Sequence, residues 1–147
     1  MYNVLVLWAP DSGENRKTVE AVARALEQTK VTLVAKGAQD ASIADVNAAD
    51  IVVFGVQKPS SGEVPSEFSE LTRIFKGISL AGRTAGFFSL GTERATAHLR
   101  KVLQDTEITQ FEEDPLFSDQ QQGPSTAVAE WSEKLIRTHQ EMHNARK

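Results

Sequence analysis

The sequence contains no cysteine. This absence excludes disulfide bonds, thiolate metal sites, iron–sulfur ligation and a cysteine nucleophile. Because a chain without cysteine tolerates any redox environment, the absence does not by itself fix the compartment.

Long apolar runs are also missing, and the longest fall far below the roughly 18 residues needed to span a bilayer. The N-terminal stretch MYNVLVLWAP is apolar but short. It has no basic region before it and no small-residue cleavage site, so it is interpreted as a strand rather than a signal peptide. The expected location is the cytoplasm, without a membrane segment.

The charge balance is mildly acidic, with a net charge of −4 on 147 residues. No basic stripe is interleaved with aromatic residues, so nucleic acid is not an expected partner. The charge is also too small to steer a basic partner strongly. The length predicts one domain, 1–147, with a core of its own.

Short apolar runs alternate with amphipathic stretches along the chain. Strands are predicted at 3–8, 30–35, 51–55, 83–90 and 107–111. Helices are predicted at 19–26, 43–46, 65–75, 92–103 and 128–135, and a linker at 119–124. This alternation favours a single-domain α/β fold: a five-stranded parallel sheet of order 2-1-3-4-5 with helices on both faces. Ligands of such sheets bind at the carboxyl ends of the strands, between the first and third.

Three segments resemble the flavodoxin family. PDSGEN (residues 10–15) follows an apolar strand in the frame of the family's first loop, Ser/Thr-x-Thr-Gly-x-Thr. ADIVVFGVQKPSSGEVPSEF (49–68) is similar to the third strand and second loop, and AGRTAGFFSLGT (81–92) to the fourth strand and third loop. The resemblance covers about residues 3–110 and implies FMN binding and one- or two-electron transfer.

The resemblance also implies which residues would hold FMN. The first loop would contribute Asp11, Ser12, Gly13, Glu14, Asn15 and Arg16; the second Lys58, Pro59, Ser60, Ser61 and Gly62; the third Ser89, Leu90, Gly91 and Thr92. A helix N-terminus binds phosphate through free N–H groups and its positive dipole end.

The first loop departs from this chemistry. Asp11 and Glu14 stand where a phosphate would sit, and ionised carboxylates only accept hydrogen bonds. At about 4 Å and an effective dielectric near 20, one such charge costs roughly 4 kcal/mol against one phosphate charge. Acidic residues in a first helical turn are also ordinary helix-start residues. Ser12 keeps a hydroxyl, and Asn15 could donate a hydrogen bond or cap the helix.

The flavin ring needs flat apolar partners. The aromatic position of the second loop is Pro59 here, and the third loop, 91–96, contains no aromatic residue. The family's Gly-Asp is Gly91-Thr92, and Trp8 is expected in the core.

Two functional hypotheses remain open. The chain is either a flavodoxin-like electron carrier with a weakened FMN site and a redox partner protein, or a flavodoxin-fold binding or assembly module that has lost FMN. An enzyme is less expected than either.

Other kinds of functional site each lack a residue or motif that they require. A receiver domain needs an aspartate at the end of the third strand, and this strand ends Phe54-Gly55-Val56, without one. A Walker loop and GxSxG are absent. His139 and His143 have metal-chelating spacing, but a solvated helix end is favoured because no convincing third ligand accompanies them. His98 is expected to be a surface or half-buried residue.

Overall fold

The computed structural model describes residues 1–60, 64–117 and 126–145. The strands are β1 (Asn3–Ala9), β2 (Thr32–Gly37), β3 (Ile51–Gln57), β4 (Thr84–Leu90), β5 (Thr109–Gln110) and β6 (Leu116–Phe117). The helices are α1 (Gly13–Glu27), α2 (Ile43–Asn47), α3 (Ser69–Phe75), α4 (Ala97–Leu103) and α5 (Thr126–Ala145), and short 3-10 turns span Ala38–Asp40, Ser66–Phe68 and Gln104–Thr106.

The sheet is parallel, with the strand order β2-β1-β3-β4-β5. The predicted order 2-1-3-4-5 is therefore confirmed. The predicted fifth strand is shorter than expected, because only Thr109–Gln110 pairs with β4 at that point. The chain then leaves the sheet through the polar residues 112–114 and rejoins β4 as β6. The predicted linker at 119–124 lies outside the described residues.

The core has two layers, one on each face of the sheet. Alternate residues of the central strands point to opposite faces because the side-chain period of a strand is two. Phe87 lies in the layer beneath α3 and α4, whereas Phe88 lies in the layer beneath α1 and α5. Trp131 of α5 is buried in the second layer. The central strands are covered on both faces, which is why they read as continuous apolar runs.

The fourth helix begins later than predicted, at Ala97 rather than at residue 92. Residues 91–96 form an irregular loop held by side chains. The Ser89 hydroxyl accepts a hydrogen bond from the backbone N–H of Ala95 at 2.9 Å, and the Thr96 hydroxyl donates to the carboxylate of Asp114. These bonds give the backbone an alternative to a helical turn.

The expectation of a solvated end for the last helix is wrong at His139. Its side chain is 2% exposed, and its Nδ1 lies 2.8 Å from the Thr84 hydroxyl oxygen. The helix is 20 residues long, so its last turns pack over the amino end of the sheet and against Tyr2. His143 is exposed, and His98 is half-buried as expected.

In the described part of the chain, no helix has both the length and the apolarity to cross a membrane.

Candidate functional site

Three loops meet at the carboxyl ends of the central strands. β1, β3 and β4 are parallel neighbours, so the segments that follow them lie at the same edge of the sheet. These segments are 10–12, 58–60 and 91–96, and they hold seven of the fifteen residues predicted for the site. Six more lie next to them, 13–16 in the first turn of α1 and 89–90 at the end of β4. Ser61 and Gly62 lie outside the described residues. The edge is the ligand-binding end of a doubly wound sheet.

The first loop is closed on itself by Ser12, which is the N-cap of α1. The Ser12 hydroxyl accepts from the backbone N–H of Asn15 at 3.1 Å. The backbone N–H of Ser12 donates to the Pro10 carbonyl, also at 3.1 Å. The N-cap is therefore Ser12, whereas the sequence had also allowed Asn15 in that position. Among the described residues, the backbone N–H groups of Gly13 and Glu14 have no acceptor.

The acidic side chains of this loop differ in their surroundings. Both carboxylate oxygens of Asp11 accept from the Arg16 guanidinium at 2.9 Å. The pair is largely exposed, so it adds little to stability. It nevertheless engages the cation that could have met a phosphate. Glu14 is exposed.

Asn15 is 4% exposed, and its side-chain amide joins the first loop to the third strand. Its Nδ2 donates to the Pro10 carbonyl at 3.0 Å and to Oε1 of Gln57 at 2.8 Å. An asparagine amide has two N–H donors. Both of them are therefore engaged within the protein.

Gln57 is the residue that the sequence did not single out. As the last residue of β3, it stands between the first and third loops. Besides binding Asn15, it packs against Gly91, where an added Cβ would approach Nε2 of Gln57 to 3.0 Å. Gly91 has a φ of +82°, a backbone conformation that favours glycine. The only signal for Gln57 was its place at the end of an apolar strand, and spacing does not reveal where such a side chain turns.

The second- and third-loop residues are placed differently. Lys58 and Ser60 are exposed, and Pro59 is half-buried. Ser89 and Leu90 are buried within β4, and Leu90 belongs to the core. Thr92 is exposed beside Gly91.

The fold can be compared with solved structures. A short-chain flavodoxin associated with a PDU bacterial microcompartment superposes with a TM-score of 0.77 and 18% identity, covering 95% of this chain and 99% of that one. A Fusobacterium nucleatum flavodoxin bound to flavin mononucleotide gives 0.71 and 10%, covering 94% and 99%. Rubredoxin:oxygen oxidoreductase from Desulfovibrio gigas gives 0.76 and 13%, covering 95% of this chain and 36% of that one.

The fold is flavodoxin-like. No protein-family model matches the sequence, and no curated protein matches it by sequence. The flavodoxin-like fold thus rests on the three-dimensional arrangement, because identities of 10–18% are too low to carry residue roles across.

The flavodoxin-like loops can be tested for their fit to FMN, beginning with its phosphate. Within the described residues, the first loop and the start of α1 offer two free backbone N–H groups and the Ser12 hydroxyl. The Asn15 amide is engaged twice, and Arg16 is paired with Asp11. Two carboxylates stand beside the same helix start. This donor set is weak for a phosphate dianion.

The ring half of FMN fits no better. The described loop residues 58–60 and 91–96 include no aromatic side chain. Trp8 is 8% exposed and packs in the core beneath α1 and α5, so it is not a stacking surface. Its indole Nε1 is buried without a hydrogen-bond partner in the described structure. As arranged, these residues do not fit FMN.

The described residues place no third metal ligand beside the paired histidines of α5. The described residues contain no group of three or more histidine or acidic side chains that could hold a metal ion.

Proposed function

We propose that this chain is a flavodoxin-fold binding module that works without tightly held FMN. The observation that carries the proposal is the 2.8 Å hydrogen bond between Asn15 and Gln57. It ties the first loop to the end of β3 at the position where the fold offers its ligand site. The second of the two hypotheses drawn from the sequence is thus the one that the geometry supports better.

The energies point in the same direction. To donate to a phosphate, Asn15 would have to give up at least one of its two hydrogen bonds, each worth about 0.5–1.5 kcal/mol net. The phosphate would also stand close to Asp11 and Glu14. Without aromatic partners, the ring would not recover these losses through stacking.

Absorbance after exposure to excess FMN tests the proposal. The purified protein is incubated with FMN, desalted and scanned for the flavin band. We expect a colourless protein and no titratable quenching of FMN fluorescence. A flavin band in stoichiometric amount would overturn the proposal.

An FMN-dependent electron carrier is the second candidate. It is favoured by the free backbone N–H groups of Gly13 and Glu14 and by the open space around Gly13. The relevant comparison is the F. nucleatum flavodoxin, which is bound to FMN. For this candidate, the acidic side chains would be the main obstacle to the phosphate.

A double variant separates the effect of the two carboxylates from the effect of the Asn15–Gln57 hydrogen bond. Asp11→Thr with Glu14→Asn removes both carboxylates and leaves the Asn15–Gln57 bond in place. We expect FMN affinity to rise by about tenfold at most, because exposed charges are screened. A matched control, Glu20→Gln with Glu27→Gln, removes two exposed acids farther along α1. Stoichiometric FMN binding by the first variant alone would favour the carrier.

A further inference from the structure

A groove of about 840 Å³ lies on the face of the sheet that α3 and α4 cover. Lys58, Lys76, Arg94 and Lys101 line it, and we call it the basic groove. Ala95 and Val102 also line it, together with Asp105 as its one acidic lining residue among those described.

Among the residues that the structure describes, no carboxylate forms an ion pair with a cation of the basic groove. In the described structure, Lys58, Lys76 and Lys101 form no ion pair. Arg94 donates through Nε to the backbone carbonyl of Asp114 at 3.1 Å, not to a carboxylate. Elsewhere in the described structure, Arg16, Lys36, Arg73 and Lys134 are paired with carboxylates, whereas exposed cations such as Lys17 and Arg24 are not. Within the described residues, the basic groove therefore gathers four cations without an ion pair, on a chain whose net charge is −4.

The positions of the cations define the shape of the ligand. Lys58 and Arg94 follow β3 and β4, at the carboxyl end of the sheet. Lys76 caps the end of α3, and Lys101 lies in the last turn of α4, toward the opposite end. The seven residues of α4 span about 10 Å at 1.5 Å per residue. Cations at both ends of an open groove match an extended anion better than a single phosphate.

We infer that the basic groove binds an acidic segment of a partner protein. Carboxylates of the segment would meet the cations at the two ends, and a small apolar side chain would lie over Ala95 and Val102. Nucleic acid is a poorer match, because no described lining residue is a Phe, Tyr or Trp on which bases could stack. The inference rests on the proposed function in that the protein acts by binding, but it does not depend on FMN.

Fluorescence anisotropy with a labelled peptide tests the inference. The probe is a short peptide of glutamate with interspersed alanine and leucine, and the same peptide with glutamine in place of glutamate is its control. The variant is Lys76→Glu with Lys101→Glu, both exposed positions. The matched control is Lys17→Glu with Arg24→Glu, two exposed cations of α1 on the other face of the sheet.

We expect the groove variant to lose about tenfold or more in affinity for the acidic peptide, and the α1 variant to change by less than about threefold. Should charge reversal disturb folding, Lys76→Gln with Lys101→Gln gives the same ranking with a smaller loss. Equal losses in both variants would reduce the effect to net charge and overturn the inference. So would absence of peptide binding at low salt, or tighter binding of a single-stranded oligonucleotide at the same salt.

FMN is titrated in parallel on the same wild-type protein. Stoichiometric FMN binding with intact peptide binding overturns the proposed function alone. Failure of the peptide without FMN binding overturns only the inference about the basic groove.

Discussion

Asn15, at the start of α1, forms hydrogen bonds through both its backbone and its side chain. Its backbone N–H completes the cap provided by Ser12, and its side chain holds Pro10 and Gln57. A residue that resembles a ligand donor in the sequence is thus part of the protein's own hydrogen-bond network. Buried polar side chains are generally satisfied in this way.

Asn15→Ala should lower the free energy of unfolding by about 1–2 kcal/mol, because two half-buried acceptors lose their donor. Denaturant unfolding measures the loss, with Asn144→Ala at an exposed position as the control. In a double-mutant cycle with Gln57→Ala, we expect a coupling of roughly 1 kcal/mol. Strict additivity would show that the hydrogen bond contributes nothing.

His139 should make stability depend on pH. Burial lowers its pKa, a smaller effect of His143 acts in the same direction, and the carboxylate of Asp50 opposes them. The unfolded chain then binds a proton more readily than the folded one, so stability is retained above about pH 6.5 and falls as the pH drops below it.

The slope from this one group is at most about 1.4 kcal/mol per pH unit. Urea unfolding at pH values between neutral and mildly acid measures it. His139→Gln should flatten this part of the profile. An unchanged slope in the variant would place the titration elsewhere.

At the scale of elements, β3 and β4 approach their neighbours where glycine leaves room. A Cβ added to Gly55 would lie 2.5 Å from the ring of Phe88, and one added to Gly86 would lie 2.7 Å from Leu135. Both glycines therefore let large side chains of the second core layer lie directly on the sheet.

Gly55→Ala should destabilise the protein by about 1–3 kcal/mol, because the ring of Phe88 must move within a packed core. Gly77→Ala is the matched control, since an added Cβ there meets nothing within 4 Å. Thermal or denaturant unfolding of both variants measures the difference. Equal stabilities would mean that the core can yield at Phe88.

The sequence predicted most elements because buried strands leave continuous apolar runs and helices leave a periodic face. It misplaced the start of α4 because Asp114 holds the preceding loop from 18 residues away through Thr96. It misjudged His139 because that burial depends on Thr84, 55 residues distant. The three loops of the candidate site could be located from the strand order. The contact of the Gln57 side chain with Asn15 could not, because it joins residues 42 positions apart in the sequence.

At the scale of the whole molecule, a net charge of −4 conceals a local excess of positive charge. Composition excluded a strongly basic protein, but it could not show that four cations converge on one face. Only the fold brings the ends of α3 and α4 together with the loops after β3 and β4.

Peptide binding in the basic groove should weaken as salt rises. The screening length shortens from roughly 30 Å at 0.01 M to about 8 Å at 0.15 M ionic strength, so exposed carboxylates and cations lose much of their attraction. Anisotropy titrations across this range should show affinity falling by about tenfold or more. A salt-independent affinity would mean that apolar contacts at Ala95 and Val102 dominate.

The division of the last sheet edge into β5 and β6 affects how copies of the protein meet. Exposed strand edges are templates for aggregation, and short edge segments are one way in which natural sheets avoid it. Here each segment on the β4 side is two residues long, whereas β2 on the opposite side runs for six. β2 carries the exposed Val34, but also Lys36, whose charge is paired with Asp45. In the described structure, the longer template for fibril-like pairing of folded molecules is therefore β2.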